Sequence, residues 1–124
     1  MQLDHIALNI INQTEVTNFY KDVLGMVILD NFILGEDLSK QFFRIASDTE
    51  VILMKKDNLI LELFVQKNPS FRGYCHICLR MNNRQSLIDK AKEKSYECIV
   101  RERENSDQVF INDKSGNTFE IKNL

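Results

Sequence analysis

Proline and glycine are scarce in this sequence, with one proline and four glycines in 124 residues. This scarcity excludes collagen-like and linker-rich chains. No apolar run approaches the ~18 residues that a membrane-spanning helix needs. The first five residues, Met-Gln-Leu-Asp-His, also lack the basic and then apolar layout of a signal peptide. We therefore expect a cytoplasmic protein that does not contact a membrane.

The sequence has no excess of basic residues, since its 16 basic and 18 acidic side chains leave a net charge of −2. Nucleic-acid-binding domains usually carry a basic face, so we expect no nucleic-acid partner. The charge is nevertheless uneven, at −5 over residues 1–66 and +3 over residues 67–124. These opposite charges favour docking of one half on the other or on a second copy of the chain. Two solvent-exposed surfaces that differ in charge but do not dock explain the asymmetry equally well.

The three cysteines are an odd number in a chain without a secretion signal, so we expect no disulfide. Cys75 and Cys78 form a C-x-x-C pair inside a predicted strand. Residues three apart on a strand point to opposite faces, so this pair is not expected to hold one metal ion.

Hydrophobic periodicity predicts alternating strands and helices in a single domain over residues 1–124. The predicted strands are 3–10, 26–34, 42–46, 51–55, Leu59–Val65, 74–81, 97–100, 109–112 and 118–122, with helices beginning at Asn12 and over 84–94. Residues 35–40 are predicted to be a loop. Asn12 and Glu15 have the spacing of a capping box, Gly25 that of a helix C-terminal cap, and Asn83 that of an N-cap.

The sequence contains a weak internal repeat. A shift of 71 residues aligns six identical pairs in 24 positions: His5/His76, Ile6/Ile77, Leu8/Leu79, Asn12/Asn83, Lys21/Lys92 and Ile28/Ile99. The closing strands align under a shift of 58, which pairs Glu62 with Glu120, so the first half is 13 residues longer, mostly around 35–50. The order of strands, cap and helix agrees between the halves. We predict an α+β fold of two βαβββ modules, at about 1–67 and 73–124.

The only two histidines, His5 and His76, occupy matching positions in this repeat. Each lies on the face of its strand opposite the aliphatic residues, so both imidazoles should point away from helices that cover the aliphatic side. The same alternation places Glu62 and Glu120 opposite the aliphatic faces of their strands. A carboxylate in the middle of a strand with two apolar faces must be paired, hydrogen-bonded or bound to a metal.

Two imidazoles and two carboxylates suit Zn²⁺, Ni²⁺, Co²⁺, Fe²⁺ or Mn²⁺. Four protein ligands leave two adjacent positions on an octahedral ion, where a small substrate with two oxygens would bind and have its carbonyl polarised. A single strand histidine is more often an ordinary polar residue, and a single glutamate is usually paired, here with Arg44, Arg80 or Lys122. We predict a metal site because all four residues occur at repeat-related positions on the same kind of face.

The sequence resembles the vicinal-oxygen-chelate superfamily, which comprises glyoxalases, bleomycin-resistance proteins and extradiol dioxygenases. The residues that carry the resemblance are Leu3-Asp4-His5-Ile6-Ala7, Phe19-Tyr20-Lys21-Asp22-Val23-Leu24-Gly25-Met26, Gly73-Tyr74-Cys75-His76-Ile77 and the segment 113–121 with Gly116-Asn117 and Glu120. The resemblance implies two modules that form a curved mixed sheet around a metal-binding cleft. It implies metal ligands at His5, Glu62, His76 and Glu120, with Glu120 and then Glu62 as the catalytic carboxylates.

This ligand set is most similar to that of lactoylglutathione lyase and implies a metal-dependent lyase or isomerase that acts on a small carbonyl or hemithioacetal substrate. The arginine that such lyases carry early in the chain for the glutathione carboxylate has no clear counterpart. The alternatives are a metal-dependent epimerase and a non-catalytic module of the bleomycin-resistance type that binds a small drug or metabolite on a surface with Phe43, Phe64 and Tyr74. The resemblance also implies a homodimer, with each site either inside one chain or across two.

Overall fold

The computed structural model describes residues 5–68 and 77–124, so the predictions for His76, Tyr74, Cys75 and the start of the fifth strand lie outside the described residues. The elements are β1 (Ile6–Ile10), α1 (Val16–Lys21), β2 (Val27–Leu34), α2 (Glu36–Phe43), β3 (Thr49–Lys56), β4 (Leu59–Val65), β5 (Ile77–Met81), α3 (Arg84–Glu93), β6 (Glu97–Arg101), β7 (Gln108–Asn112) and β8 (Thr118–Asn123). No helix among them is long and apolar enough to cross a membrane.

The strands form two four-stranded mixed sheets with the same topology. The first has the order β1-β4-β3-β2 and the second the order β5-β8-β7-β6. In each sheet the first and last strands of the module pair in parallel, and the remaining pairs are antiparallel. This repeated order confirms the predicted α+β fold of two βαβββ-type modules.

One hydrophobic core is built from the aliphatic faces of both sheets and from α1 and α3. Its fully buried large side chains are Tyr20, Phe19, Phe119, Leu8, Ile10, Leu24, Met26, Ile52, Met54, Leu61, Leu63 and Ile111. The apolar residues of α1 are buried, and the Phe19 ring packs against the rings of Tyr96 and Phe119 at centroid distances of 4.7 and 5.5 Å. Because the first module's helix packs on the second module's strand, the two modules share this core.

The prediction of a loop over 35–40 and a strand over 42–46 was wrong. Residues Glu36–Phe43 form a helix instead, α2, which begins after an extended Gly35 and ends at Arg44 in the left-handed conformation. Glu36 and Asp37 lie in its first turn, where negative charge interacts favourably with the helix dipole. The predicted strand depended on a short run of apolar residues, and such a run does not distinguish a strand from the end of a helix.

Asn12 begins the turn that leads into α1, which itself starts at Val16, and the predicted capping box does not form. The Asn12 side chain accepts a hydrogen bond from the Thr14 amide at 3.0 Å, as a capping residue does. The Glu15 side chain does not accept a hydrogen bond from the Asn12 backbone amide, as a capping box requires. Its buried carboxylate accepts hydrogen bonds from the Tyr96 hydroxyl at 2.8 Å and the Lys114 amide at 2.9 Å. A contact with the second module therefore replaces the local cap.

The other predicted caps and turns are present. Gly25 ends the first helix with a φ of +72°, and Gly116 turns the last hairpin with a φ of +82°. Both values lie in the region that favours glycine. The Asn83 side chain accepts a hydrogen bond from the Ser86 amide at 3.3 Å and so begins α3.

A second buried polar cluster joins the modules around Asp113. Its carboxylate accepts hydrogen bonds from the Tyr20 hydroxyl at 2.9 Å and from the side-chain amide of Asn117 at 2.8 Å. Asn117 also donates to the backbone carbonyl of Asn9 in β1 at 2.8 Å. Burial raises the pKa of Asp113, although the hydrogen bonds from Asn117 and Tyr20 oppose this shift. The cluster ties the last turn of the second module to the first module.

We expect Tyr20→Phe to lower the free energy of unfolding by about 1–2 kcal/mol, because it leaves the buried Asp113 carboxylate with one donor fewer. Urea unfolding followed by circular dichroism measures this loss. Ser106→Ala, which removes an exposed hydroxyl, is the control and should change stability by less than about 0.5 kcal/mol. A Tyr20→Phe protein as stable as the parent would show that this bond does not hold the modules together.

Candidate metal centre

The structure places His5 directly beside Glu62. His5 precedes β1, and the parallel pairing of β1 with β4 sets Ala7 opposite Glu62. The distance between His5 Nε2 and Glu62 Oε2 is 3.3 Å, and the side chains are 41% and 19% exposed. Both therefore lie at a surface that solvent and a ligand can reach. The imidazole and the carboxylate of the first module are together, as the strand alternation predicts.

The separation of these two atoms fits the edge of a metal coordination shell. Two donor atoms that each lie about 2.1 Å from one ion, at angles of about 90–110°, are about 3.0–3.4 Å apart. The 3.3 Å between His5 Nε2 and Glu62 Oε2 falls in this range. Nitrogen and carboxylate donors also match the preferences of Zn²⁺, Mn²⁺ and related ions. Without a metal, the same contact is a hydrogen bond or, when His5 is protonated, an ion pair.

Glu120 occupies the equivalent position in the second module. The pairing of β5 with β8 sets Cys78 opposite Glu120, as Ala7 stands opposite Glu62. The Glu120 carboxylate accepts a hydrogen bond from Gln108 Nε2 at 3.1 Å, and Lys122 Nζ lies 3.5 Å from the same oxygen. The hydrogen bond from Gln108 is the main cause that lowers the pKa of Glu120, with Lys122 and the Cys78 thiol contributing.

The two glutamates do not come together in one chain. Across residues 5–68 and 77–124, no three His, Cys, Asp or Glu side chains lie close enough to hold one ion. The described part of the site therefore consists of two halves, one with His5 and Glu62 and one with Glu120. His76, the predicted fourth ligand, lies outside the described residues.

A cavity of about 190 Å³ lies on the same face of the first sheet as the His5–Glu62 pair. Its lining residues are Ala7, Leu8, Asn9, Phe43, Ile45, Phe64 and Gln66. The sequence indicated Phe43 and Phe64 as binding-surface residues but missed Asn9 and Gln66. Strand alternation was the available signal, because Asn9 is two residues beyond Ala7 and Gln66 is two beyond Phe64.

The model of the glyoxalase/bleomycin resistance protein/dioxygenase superfamily matches residues 2–121 of this chain. The chain belongs to this superfamily. This membership agrees with the family that the sequence motifs indicated. A search of curated proteins finds no significant match.

Several solved structures share the glyoxalase-like fold. A glyoxalase family protein from Enterococcus faecalis is 21% identical, with a TM-score of 0.73 over 97% of this chain and 95% of that one. A glyoxalase family protein from Bacillus cereus is 14% identical, with a TM-score of 0.77 over 99% and 93%. The fosfomycin resistance protein FosX from Listeria monocytogenes is 15% identical, with a TM-score of 0.73 over 100% and 93%. At these identities the similarity shows the fold alone.

We expect Gln108→Leu to raise the pKa of Glu120, because it removes the hydrogen bond that most stabilises the carboxylate. The ¹³C chemical shift of the Glu120 carboxylate, followed by NMR against pH in metal-free protein, measures the change. Ionised Glu120 stabilises the fold above its ordinary pKa, and this contribution should disappear as the pH falls through the lowered value.

The control is Gln85→Leu, which removes an amide that donates to Asp89 on the exposed face of α3. It should leave the titration of Glu120 unchanged. If Gln108→Leu also leaves that titration unchanged, Gln108 does not hold the carboxylate in its ionised form.

Proposed function

We propose that this chain is a divalent-metal-dependent enzyme of the glyoxalase type that isomerises a small carbonyl compound or hemithioacetal. The observation that carries the proposal is the 3.3 Å approach of His5 to Glu62, together with the equivalent position of Glu120 in the second module. The related FosX from Listeria monocytogenes was crystallised with Mn(II), which supports a metal in this superfamily site. Lactoylglutathione lyase is the activity within the superfamily that this donor set favours, and epimerisation uses the same chemistry.

His5, Glu62, His76 and Glu120 would hold the ion. A bound divalent ion would polarise the substrate oxygens and so acidify the adjacent C–H bond. The donor set is of the right chemistry for Mn²⁺, Zn²⁺, Ni²⁺, Co²⁺ or Fe²⁺.

Glu120 is the first candidate for the proton-transfer base. A base must be ionised to accept a proton, as a glutamate side chain is at neutral pH. Gln108 holds one carboxylate oxygen and fixes the orientation of the group. Glu120 would take the proton from one substrate carbon and return it to the neighbouring carbon, so that no co-reactant is consumed. Glu62 is the second candidate, since it is more exposed and lies beside His5.

The proposed assembly is a homodimer in which the two half-sites of different chains meet. His5 and Glu62 of one subunit would then complete the site with the second subunit's copies of His76 and Glu120. The exposed apolar surface of β2, which ends the first sheet, supports such an assembly. Its side chains that are 51–63% exposed are Val27, Ile28, Leu29 and Ile33. Exposed apolar side chains on an edge strand, here on both sides of Asp30 and Asn31, favour an interaction surface.

The cavity beside the His5–Glu62 pair favours one alternative function, a binding module that sequesters a small molecule without chemistry. Its walls include two aromatic rings, Phe43 and Phe64, which pack edge to face at 4.9 Å. The alternative requires no metal. A protein that binds an aromatic compound tightly but no divalent transition metal would be such a module.

We expect His5→Ala and His76→Ala each to weaken Mn²⁺ binding by about a hundredfold or more. Mutation of a residue that only hydrogen-bonds to a metal ligand already lowers metal affinity about 10–100-fold. Glu120→Gln should retain much of the metal because its amide oxygen still coordinates. It should lower turnover of a methylglyoxal–thiol adduct by about 10²–10⁴-fold because an amide does not accept the proton. Calorimetric Mn²⁺ titration and an isomerase assay measure the two effects.

The matched control is Glu97→Gln, a carboxylate on β6 that accepts a hydrogen bond from Asn112 and lies outside the proposed site. It should preserve both metal binding and turnover. If the Glu120→Gln protein isomerises the adduct at the parental rate, Glu120 is not the base. If the parent binds no divalent metal, the enzyme proposal is wrong.

We expect Ile33→Asp to convert the dimer into monomers, with a rise of about a hundredfold or more in the dissociation constant, because a carboxylate would lose its hydration in an apolar interface. Sedimentation velocity measures the change. Leu124→Asp, at a side chain that is 78% exposed near the C-terminus, is the control and should remain dimeric. A monomeric parent, or a dimeric Ile33→Asp protein, would exclude an interface on β2.

A further inference from the structure

The cavity beside the His5–Glu62 pair has no charged side chain among its described lining residues. Five of the seven are apolar and two, Asn9 and Gln66, are amides. The Gln66 amide donates a hydrogen bond to the Asn9 side-chain oxygen, so the two amides form one polar spot in an otherwise apolar wall. The cavity of about 190 Å³ is larger than an apolar cavity of about 150 Å³ that binds benzene in another protein.

This cavity adjoins the proposed metal ligands through the strand geometry. Phe64 follows Glu62 by two residues on the same face of β4, and such neighbours are about 7 Å apart. Ala7, opposite Glu62 in the register, is itself part of the wall. The cavity is therefore within reach of a substituent of a small molecule held at the His5–Glu62 pair.

Only the first module has the helix that closes this cavity in the described structure. α2 lies between β2 and β3, whereas the equivalent strands β6 and β7 are joined without a helix. Phe43, the last residue of α2, packs its ring on Phe64, and Ile45, two residues further on, also lines the cavity. The extra length of the first half thus builds a wall beside one end of the site.

We propose that this cavity selects substrates with an uncharged aromatic or branched apolar substituent that carries a hydrogen-bonding oxygen or nitrogen next to it. The inference rests on the proposed function, because it assigns the substrate class of that same site. The described walls offer no cation to a phosphonate or a carboxylate, and an anion that loses its hydration against these described residues gains no ion pair from them. Arg44 and Lys67 line a neighbouring groove together with Asp48, outside the cavity itself.

The test compares benzamide, which is neutral, with phenylphosphonate, which has the same ring and an anionic group. Both are titrated into the full chain after chelation, so that neither binds through a metal, and NMR chemical shifts follow the binding. We expect benzamide to bind about tenfold more tightly or better than phenylphosphonate. Its shift changes should centre on Asn9, Phe64 and Gln66.

Two variants locate the binding. Phe43→Ala removes a ring from the wall and should weaken benzamide binding about fivefold. Gln66→Leu keeps the volume and removes the amide, so it should also weaken benzamide binding. Leu38→Ala, on the same helix but outside the lining, is the matched control and should bind benzamide within about twofold of the parent.

Tighter binding of phenylphosphonate, equal binding of the two probes, or a Phe43→Ala protein that binds like Leu38→Ala would each overturn the proposal. The Mn²⁺ titration of the parent is read separately. A protein that binds Mn²⁺ but does not prefer benzamide retains the proposed metal site and refutes the substrate class. A protein that prefers benzamide but binds no Mn²⁺ retains the cavity's selectivity and refutes the enzyme.

Discussion

The parallel pairing between the first and last strand of each module is the constraint on which the site depends. In both modules this register sets a glutamate of the last strand opposite a residue of the first strand that is two positions after a histidine in the sequence. The glutamate lies on the face of the sheet opposite the core. A slip of one residue would turn Glu62 into the aliphatic core and Leu61 or Leu63 out of it. The burial of those leucines therefore fixes where the carboxylate points. The energy that folds the sheet also positions the candidate ligands.

The polar groups that join the modules are separate from those of the site. Glu15 and Asp113 are buried between the modules, where hydroxyl and amide donors satisfy them. Glu62 and Glu120 lie on the opposite faces of their strands from the core. The first pair of carboxylates joins the two modules, and the second pair lies on the other faces, where Glu62 contacts His5 and Glu120 accepts a hydrogen bond from Gln108. The groups that join the modules are therefore distinct from the candidate metal ligands.

Strand alternation was enough to predict most of the strands and the faces on which His5 and Glu62 lie, because a period of two leaves each side chain only one face. It was not enough for α2, whose last residue, Phe43, packs on Phe64 of β4, a contact that the local sequence does not contain. The partner of Glu15 was also beyond prediction, since Tyr96 is 81 residues away in the chain. Contacts between the modules depend on three-dimensional packing that local patterns do not contain.

The central claim is that histidine and glutamate from both modules bind one divalent ion. X-ray absorption at the Ni K-edge of the Ni²⁺-loaded full chain counts the imidazoles directly. The account predicts two imidazole nitrogens and carboxylate oxygens on each ion, with one imidazole remaining in His5→Ala. A spectrum with no imidazole, or one that is unchanged by His5→Ala, would contradict it.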